Sequence, residues 1–223
     1  MHKPLTKLLL TIMLSLAGAL HAASDAETSP QYVAGTHYQV LDKPVRTSDP
    51  KRVEVTEVFW YGCSHCYDFE PILTAWRKTL PEDVAFVSSP AIWHPTMELH
   101  ARAYYTAKVL DVLDKMHLVI FEAMNIRKNK LANDKAIADL FVDQGIDREK
   151  FTKAFNSFGV NSAVKQAEAR QRSYQIQGTP ELIVNGKYRV TAAMGGGHAG
   201  MMKIVDYLIA VERKSLPVGT DSP

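Results

Sequence analysis

Cysteine is scarce in this sequence, since the 223 residues contain only Cys63 and Cys66. Small secreted domains that are held together by disulfides need several bridges because their cores are small. A chain of this length buries a full core without such bridges. The two cysteines are therefore not needed to hold the fold, and their presence calls for a chemical explanation.

The sequence also lacks a low-complexity tract, an internal repeat and an apolar run long enough to cross a membrane. The apolar run at residues 8–20 has 13 residues, whereas a membrane-spanning helix needs about 20. Lys3 and Lys7 precede this run, and small residues around Ala22 follow it. This order is typical of a secretory signal peptide, which we predict over residues 1–22.

An excess of positive charge is missing as well. The formal charge of the whole chain is +2, and removal of the signal peptide takes away Lys3 and Lys7 but no acid, so the charge falls to 0. Proteins that bind nucleic acid carry a basic stripe, and this composition argues against that class. Export would place the mature chain where disulfides form and persist.

The order of predicted elements indicates an α/β core. A strand is predicted at 53–60, which is rich in β-branched and aromatic residues. From Cys63 onward, apolar positions recur at helical spacing, and a second short strand follows at 84–88. The Asn-Gly pair at 185–186 lies between two strand-like runs and predicts a hairpin. A last amphipathic helix is expected at 199–213.

A helical pattern occupies residues 97–173 almost throughout and interrupts this core. Within it, Asp147 is the expected N-cap of a helix that reaches Phe158, and Gly159 is its expected end. The predicted fold class is therefore an α/β core with a helical insertion.

Cys63 and Cys66 allow three kinds of site. A structural disulfide between them would close a very short loop and would contribute little stability. Zinc needs four ligands, of which the pair supplies two and His65 a conceivable third, and a copper site that includes His94 or His198 also stays open. The third kind is a redox couple, in which two thiols and their disulfide interconvert.

The redox interpretation accounts for more of the sequence. At the first turn of a helix, free backbone N–H groups favour the Cys63 thiolate. This effect is worth about 0.3–2 kcal/mol, or roughly 6–40 mV of reduction potential, so a strong oxidant needs a second contribution. We expect an imidazolium at His65 to supply it. Cys63, at the exposed end, should be the sulfur that attacks other disulfides and that other thiolates attack. Cys66, one turn inward, should resolve the mixed disulfide that forms.

Two stretches carry a resemblance to a known family. Residues 57–70, Glu-Val-Phe-Trp-Tyr-Gly-Cys-Ser-His-Cys-Tyr-Asp-Phe-Glu, and residues 178–188, Gly-Thr-Pro-Glu-Leu-Ile-Val-Asn-Gly-Lys-Tyr, resemble DsbA-type thiol:disulfide oxidoreductases of bacterial periplasms. The resemblance implies a thioredoxin fold interrupted by a helical insertion domain. Its first part would lie at residues 23–96, the insertion at 97–173 and its second part at 174–223.

The same resemblance implies the activity. The protein would be a protein dithiol oxidase that introduces disulfides into reduced, unfolded secreted proteins, and its only redox group would be the Cys63–Cys66 disulfide. An inner-membrane, quinone-linked oxidase of the DsbB type would reoxidise the pair. The protein would act in the periplasm as a monomer, without a metal and without nucleic acid.

Further residues receive roles from the resemblance. Pro180 would face the disulfide in the cis form, and Thr179 would offer backbone hydrogen bonds to a bound substrate strand. Glu57 would lie beneath Cys66 and carry protons to or from it. A glutamate in an otherwise apolar strand is costly unless it is paired or neutral, which independently points to a role. Glu70 is expected in the same charged network.

One position departs from the family pattern, because Ser64 stands where the family commonly has proline. The two residues between the cysteines tune the reduction potential, so the oxidising strength is left open. Two rival functions also remain open. One is a disulfide isomerase or reductase, and the other is a non-enzymatic metal chaperone that uses the same thiols.

Overall fold

A computed structural model describes residues 31–216, and the described part contains a mixed sheet. Its strands are Gln39–Val40 (β1), Val53–Phe59 (β2), Val84–Pro90 (β3), Glu181–Val184 (β4) and Tyr188–Thr191 (β5). The strand order is β1-β5-β4-β2-β3. Strand β2 runs parallel to β3 and antiparallel to β4, so it lies inside the sheet and not at an edge.

The burial of β2 explains its sequence. All seven of its residues are buried, which suits a strand that is covered on both faces and is rich in valine. The chain leaves this strand at Phe59, and the two cysteines follow directly. The cysteine pair therefore follows a strand that is buried along its whole length.

Eight helices accompany the strands in the described residues. They are Ser64–Arg77 (α1), Pro95–Val109 (α2), Leu113–Asn125 (α3), Asp134–Asp143 (α4), Arg148–Phe155 (α5), Phe158–Ser173 (α6), Ala192–Gly195 (α7) and His198–Arg213 (α8). Helices α2 to α6 fill the interval between β3 and β4, where the sequence predicts a helical block. The division of the chain into domains at 97 and 173 stays a prediction.

Helix α1 lies between two apolar cores. On one side, Cys66 belongs to a cluster with Phe59, Tyr61 and the buried residues of α2 to α6. On the other side, Phe69 and Leu73 pack with the inner residues of β2, β4 and α8. Each fully buried Phe or Leu side chain contributes about 1.5–3 kcal/mol relative to exposure. The two cores together fix the position of α1 and so of the cysteines.

The Asn-Gly hairpin prediction is confirmed. Strands β4 and β5 pair antiparallel, and Asn185 and Gly186 between them have φ angles of 50° and 62°. A type I′ turn requires positive φ at both of its central positions, and the Lys187 N–H closes this turn on the Val184 carbonyl at 3.0 Å. A Cβ atom on Gly186 would also lie 1.9 Å from the carbonyl oxygen of Val45, which leaves no room for a side chain.

The predicted end of the helix after Asp147 is wrong. Asp147 does cap α5, because its side chain accepts a hydrogen bond from Lys150 N–H, but α5 stops at Phe155. The Ser157 hydroxyl oxygen accepts from the N–H of residue 160 and caps a new helix, α6. Gly159 lies inside this helix. Phe158, which the pattern placed on a buried face, is 87% exposed.

The predicted signal peptide at residues 1–22 lies outside the described residues. Within residues 31–216, none of the helices has both the length and the apolar character that a membrane crossing requires.

Candidate active site

Cys63 lies at the start of helix α1. It is the N-cap residue, with extended φ and ψ angles of −91° and 114°, and its carbonyl accepts a hydrogen bond from Tyr67 N–H at 3.1 Å. The preceding turn requires glycine at position 62, because a Cβ atom there would lie 2.3 Å from the Trp60 ring. The tight turn thus brings the half-buried Cys63 to the helix terminus, as the sequence predicts.

Cys66 lies one turn farther along α1 and is fully buried. It packs in the cluster that contains Phe59 and Tyr61, whereas Cys63 only borders that cluster. Both thiols are free in this structure. The accessible sulfur is therefore Cys63 and the shielded one is Cys66, which agrees with the expected division between an attacking and a resolving thiol.

The surroundings of Cys63 lower its pKa from 9.0 to about 5. The largest cause is a hydrogen bond from the Cys66 side chain, which outweighs the opposing effect of partial burial. Smaller contributions come from the Thr179 side chain and from the backbone N–H groups of Cys66 and His65. Cys63 is consequently a thiolate at neutral pH, and thiolates are the reactive form in disulfide exchange.

The surroundings of Cys66 act in the opposite direction. Burial raises the pKa of this thiol strongly, and its hydrogen bond to Cys63 and the charge of Glu57 raise it further. The proton of the pair is thus held on Cys66 and the negative charge on Cys63. This direction agrees with the sequence expectation that Cys63 carries the depressed pKa.

The two residues between the cysteines both face solvent. Ser64 is the first residue of α1, and His65 follows it, and both are exposed. The His65 backbone N–H contributes to the low pKa of Cys63. The expected contribution of the His65 imidazolium and the effect of Ser64 on the potential stay predictions.

The Thr179–Pro180 loop faces Cys63. The peptide bond between these residues is cis, as the resemblance implies. Sγ of Cys63 lies 3.3 Å from the Thr179 carbonyl oxygen, to which it can donate a hydrogen bond only while it is protonated. A segment more than a hundred residues away in sequence is therefore in direct contact with the reactive sulfur.

Glu181 holds this loop in place and was missed by the sequence reasoning. Its Oε1 accepts hydrogen bonds from the backbone N–H groups of Gln177 at 3.2 Å and Gly178 at 2.9 Å. Its other oxygen lies 3.7 Å from Nε of the buried Arg189. The available signal was similar to the one for Glu57, because Glu181 is an acid that begins an otherwise apolar strand.

Glu57 is fully buried in β2. The Ser88 hydroxyl donates to its Oε2 at 3.3 Å, and its Oε1 has no hydrogen-bond partner. Burial, followed by the nearby charge of Glu70, raises its pKa well above the ordinary value. Burial of this kind favours the protonated form of a carboxyl group, and this one interacts electrostatically with both cysteines.

The described residues give no support to a metal site. Between residues 31 and 216, no three or more His, Cys, Asp or Glu side chains converge as a metal would require. The His198 ring packs on Phe69 with 4.6 Å between ring centroids. His94 meets the edge of Trp60 at 6.2 Å.

A thiolate and a neighbouring shielded thiol can exchange a disulfide with another dithiol without any further redox group. Together with the sheet and its flanking helices, this pair places the protein among the thiol:disulfide oxidoreductases.

Comparison with known proteins identifies the family. A model of the DSBA-like thioredoxin domain matches residues 82–208. The thiol:disulfide interchange protein DsbA of Pseudomonas aeruginosa is 39% identical over 206 residues, which cover 92% of this chain and 96% of that protein. The protein of the same name from Azotobacter vinelandii is 37% identical over 94% of this chain and 99% of its own length. The crystal structure of Pseudomonas aeruginosa DsbA superposes with a TM-score of 0.80 at 38% identity, covering 84% of this chain and 97% of that one.

The chain therefore belongs to the DsbA-like thioredoxin domain family. The expected α/β thioredoxin fold with additional helices and the resemblance to DsbA-type enzymes are both confirmed.

Proposed function

We propose that the protein oxidises pairs of thiols in reduced, unfolded secreted proteins, through exchange at Cys63 and Cys66. The observation that carries the proposal is the opposite shift of the two pKa values, down to about 5 for Cys63 and strongly up for Cys66. A stabilised Cys63 thiolate makes the reduced enzyme more stable and its disulfide more oxidising.

The exchange runs in two steps. A client thiolate attacks Cys63 Sγ, the Cys63–Cys66 bond breaks, and Cys66 leaves with the electron pair and takes a proton from Glu57. A second client thiolate then attacks the client sulfur of the mixed disulfide, and Cys63 leaves as a thiolate. Two electrons have passed from the client to the enzyme, and the client holds a new disulfide. The low pKa of Cys63 makes it a good leaving group in the second step.

Glu57 is the proton carrier for Cys66 in this scheme. Burial raises the pKa of Glu57 well above its usual value and so favours its protonated form, and Glu57 is one of the groups that raise the pKa of Cys66. Cys66 would otherwise leave as a bare thiolate in an apolar core, which is unfavourable.

Thr179 and Pro180 are the proposed client-binding segment. Thr179 contacts Cys63 directly, so a client sulfur that attacks Cys63 must pass beside this loop. Backbone groups are suited to clients of many sequences because every peptide offers the same N–H and carbonyl partners.

Location and partner belong to the same proposal. Residues 1–22 have the order of a signal peptide, and this order together with the family resemblance supports a periplasmic location. An inner-membrane, quinone-linked oxidase of the DsbB type would return the pair to the disulfide. The cysteines would be the only redox group, and neither a metal nor another cofactor enters the scheme.

Equilibration of the protein with glutathione buffers tests the proposal. We expect a reduction potential clearly above that of thioredoxin, which is about −270 mV, together with stoichiometric oxidation of a dithiol peptide. A potential at or below that value would favour the reductase or isomerase. Tight, stoichiometric binding of copper or zinc by the reduced protein, without peptide oxidation, would favour the metal chaperone.

A further inference from the structure

A short connecting segment, residues 174–180, brings Thr179 to the active site. It joins the end of α6 to the start of β4 and is neither helix nor strand. Gln177 is exposed, and Gly178 and Thr179 are half-buried, so a client can reach this backbone. Within residues 31–216, these three residues take part in no backbone–backbone hydrogen bond. The segment therefore offers free backbone groups to a client, and side chains have to fix its shape.

Glu181 supplies hydrogen bonds that the backbone of this segment lacks. Its Oε1 accepts from the N–H groups of Gln177 at 3.2 Å and Gly178 at 2.9 Å. Glu181 is the first residue of β4, is 4% exposed and pairs with Val58 of the central strand β2. Hydrogen bonds to an ionised acceptor are about twice as strong as those between neutral groups. One side chain that is attached to the sheet thus holds two consecutive N–H groups and leaves Thr179 free.

Arg189 holds the other end of the segment. Its Nη1 donates to the carbonyl oxygen of Gln175. Gln175 has a φ angle of 55°, which is a left-handed conformation that residues other than glycine seldom adopt. Nε of the same guanidinium lies 3.7 Å from Oε2 of Glu181, and both side chains are only 5% exposed. A single buried ion pair therefore holds residue 175 and residues 177–178 together.

The two buried charges compensate each other. Burial raises the pKa of Glu181, and the charge of Arg189 and the two backbone N–H groups oppose this effect. Removal of one partner of a buried pair leaves the other charge uncompensated. Arg189 lies on β5 beside Gln39 of β1, whose Oε1 accepts from its Nη2 at 3.2 Å. The ion pair is thus attached to β1, β4 and β5 and is part of the rigid sheet.

The segment that the ion pair holds lies against the reactive sulfur. Sγ of Cys63 is 3.3 Å from the carbonyl oxygen of Thr179, which directly follows the two N–H groups that Glu181 binds. A misplacement of about 1 Å in a group that positions a substrate can remove a large part of the rate. The position of the Thr179 backbone relative to Cys63 therefore depends on contacts that neither residue makes itself.

We propose that the Glu181–Arg189 ion pair positions the client. By fixing residues 175–178, it places the free backbone of Thr179 where a client strand can bind while its thiol attacks Cys63. Glu181 and Arg189 act through the segment and are positioning residues. The proposal rests on the client-binding role of Thr179 described above. A small dithiol has no peptide backbone, so its reaction with Cys63 gains nothing from this placement.

The test compares a dithiol peptide with dithiothreitol as the reductant of the Cys63–Cys66 disulfide. Oxidised wild type, Glu181→Ala and Glu181→Gln are mixed with increasing concentrations of each dithiol in a stopped-flow instrument. Alanine removes the acceptor, whereas the side-chain oxygen of glutamine can still accept from the two N–H groups.

We expect the peptide concentration at half-maximal rate to rise roughly tenfold in Glu181→Ala, the equivalent of about one hydrogen bond to the client. The rise should be smaller in Glu181→Gln, which keeps the acceptor. The maximal rate with the peptide and the rate with dithiothreitol should stay close to the wild-type values in both variants.

Glu212→Gln is the matched control. Glu212 is another buried acid that holds the β4–β5 hairpin, but it accepts from the Lys187 ammonium and the Tyr188 hydroxyl at the turn end, away from Thr179. This variant should react like the wild type with both dithiols. An unchanged half-maximal peptide concentration in Glu181→Ala would overturn the proposal. Equal slowing with peptide and dithiothreitol, or the same loss in Glu212→Gln, would also overturn it.

Amide hydrogen exchange tests the contact in the wild type without any substitution. The N–H groups of Gln177 and Gly178 should exchange slowly although Gln177 is exposed, and they should exchange faster in Glu181→Ala. Rapid exchange of both groups in the wild type would contradict the proposal. Failure of the proposed function has a different signature, because the wild type would then not oxidise the peptide although both amides stayed protected.

Discussion

The two cysteines lie on the same helix with two residues between them, yet their surroundings have little in common. Cys63 is at the helix start, half-buried, with hydrogen-bond donors directed at its sulfur. Cys66 is enclosed by aromatic residues and is fully buried. The two thiols therefore differ in reactivity because the first turn of α1 runs from the protein surface into the core.

Substitution of each cysteine in turn should have the largest effect on activity and should separate the roles of the two thiols. Cys63→Ala should reduce dithiol oxidation to the background rate, because the accessible sulfur is gone. Cys66→Ala should also be inactive in turnover but should accumulate a mixed disulfide with a client peptide, since nothing resolves it from the enzyme side. Mass spectrometry of the protein after incubation with an oxidised peptide distinguishes the two. A mixed disulfide on Cys66 and none on Cys63 would reverse the assignment.

Glu57→Gln should have the next largest effect. Glutamine fills the same space but carries no exchangeable acid proton, so reduction of the disulfide should slow by roughly tenfold or more and lose its dependence on pH. Stopped-flow kinetics between pH 5 and 9 measures this.

Glu54→Gln is the control for Glu57→Gln. Glu54 is another buried acid of β2, but it accepts hydrogen bonds from Ser48 and Thr56 and has no role at the cysteines. This variant should keep the wild-type pH profile even if it is less stable. An equal kinetic effect of both substitutions would remove Glu57 from the mechanism.

The pH dependence of stability should report on Cys63 in the reduced protein. Its pKa is about 5 in the folded state and close to 9.0 in the unfolded chain. The unfolded state therefore binds more protons between these values, and the free energy of unfolding rises with pH across that window. This contribution is fully present above pH 9 and is lost as the pH falls through about 5.

The oxidised protein has no Cys63 thiol and lacks this contribution. Urea denaturation of both forms, from pH 5 to pH 9, measures this contribution. The free energy of unfolding of the reduced form should increase relative to that of the oxidised form as the pH rises. A constant difference across the range would mean that Cys63 has an ordinary pKa in the folded state.

Ser64→Pro should have the smallest effect. Proline is favoured at the first position of a helix, and the backbone N–H groups that stabilise the Cys63 thiolate belong to His65 and Cys66, not to Ser64. We expect the reduction potential to move by less than about 30 mV, which is a tenfold change in the exchange equilibrium. A larger shift in glutathione buffers would show that residue 64 affects the reduction potential of the pair more than the surroundings of the two sulfurs do.

Features with local causes could be predicted from the sequence. Asn and Gly adopt positive φ more readily than other residues, so the pair at 185 and 186 was enough to predict the hairpin. The start of α1 at Cys63 followed from the change from strand to helical spacing. The cost of an acid in an apolar strand singled out Glu57, whose role at the cysteines stays a proposal.

Features that depend on distant contacts could not be predicted. Glu70 and His117 are 47 positions apart, and nothing in either segment indicates that they meet. The contact of Cys63 with Thr179 joins residues 116 positions apart, and only the family resemblance led us to expect the Thr179–Pro180 segment beside the cysteines. Phe158 was misplaced because apolar spacing continued across a break that Ser157 introduces.

A titration of the reduced protein by ultraviolet thiolate absorbance tests the central claim most directly. One thiol should ionise with a pKa of about 5, and the second should stay protonated past the ordinary value of 9.0. The early ionisation should disappear in Cys63→Ala. In Cys66→Ala it should move to higher pH, because this variant lacks the largest stabilising hydrogen bond. The shift in Cys66→Ala should be larger than the shift in His65→Ala. An early ionisation that survives in Cys63→Ala and is absent from Cys66→Ala would contradict the account.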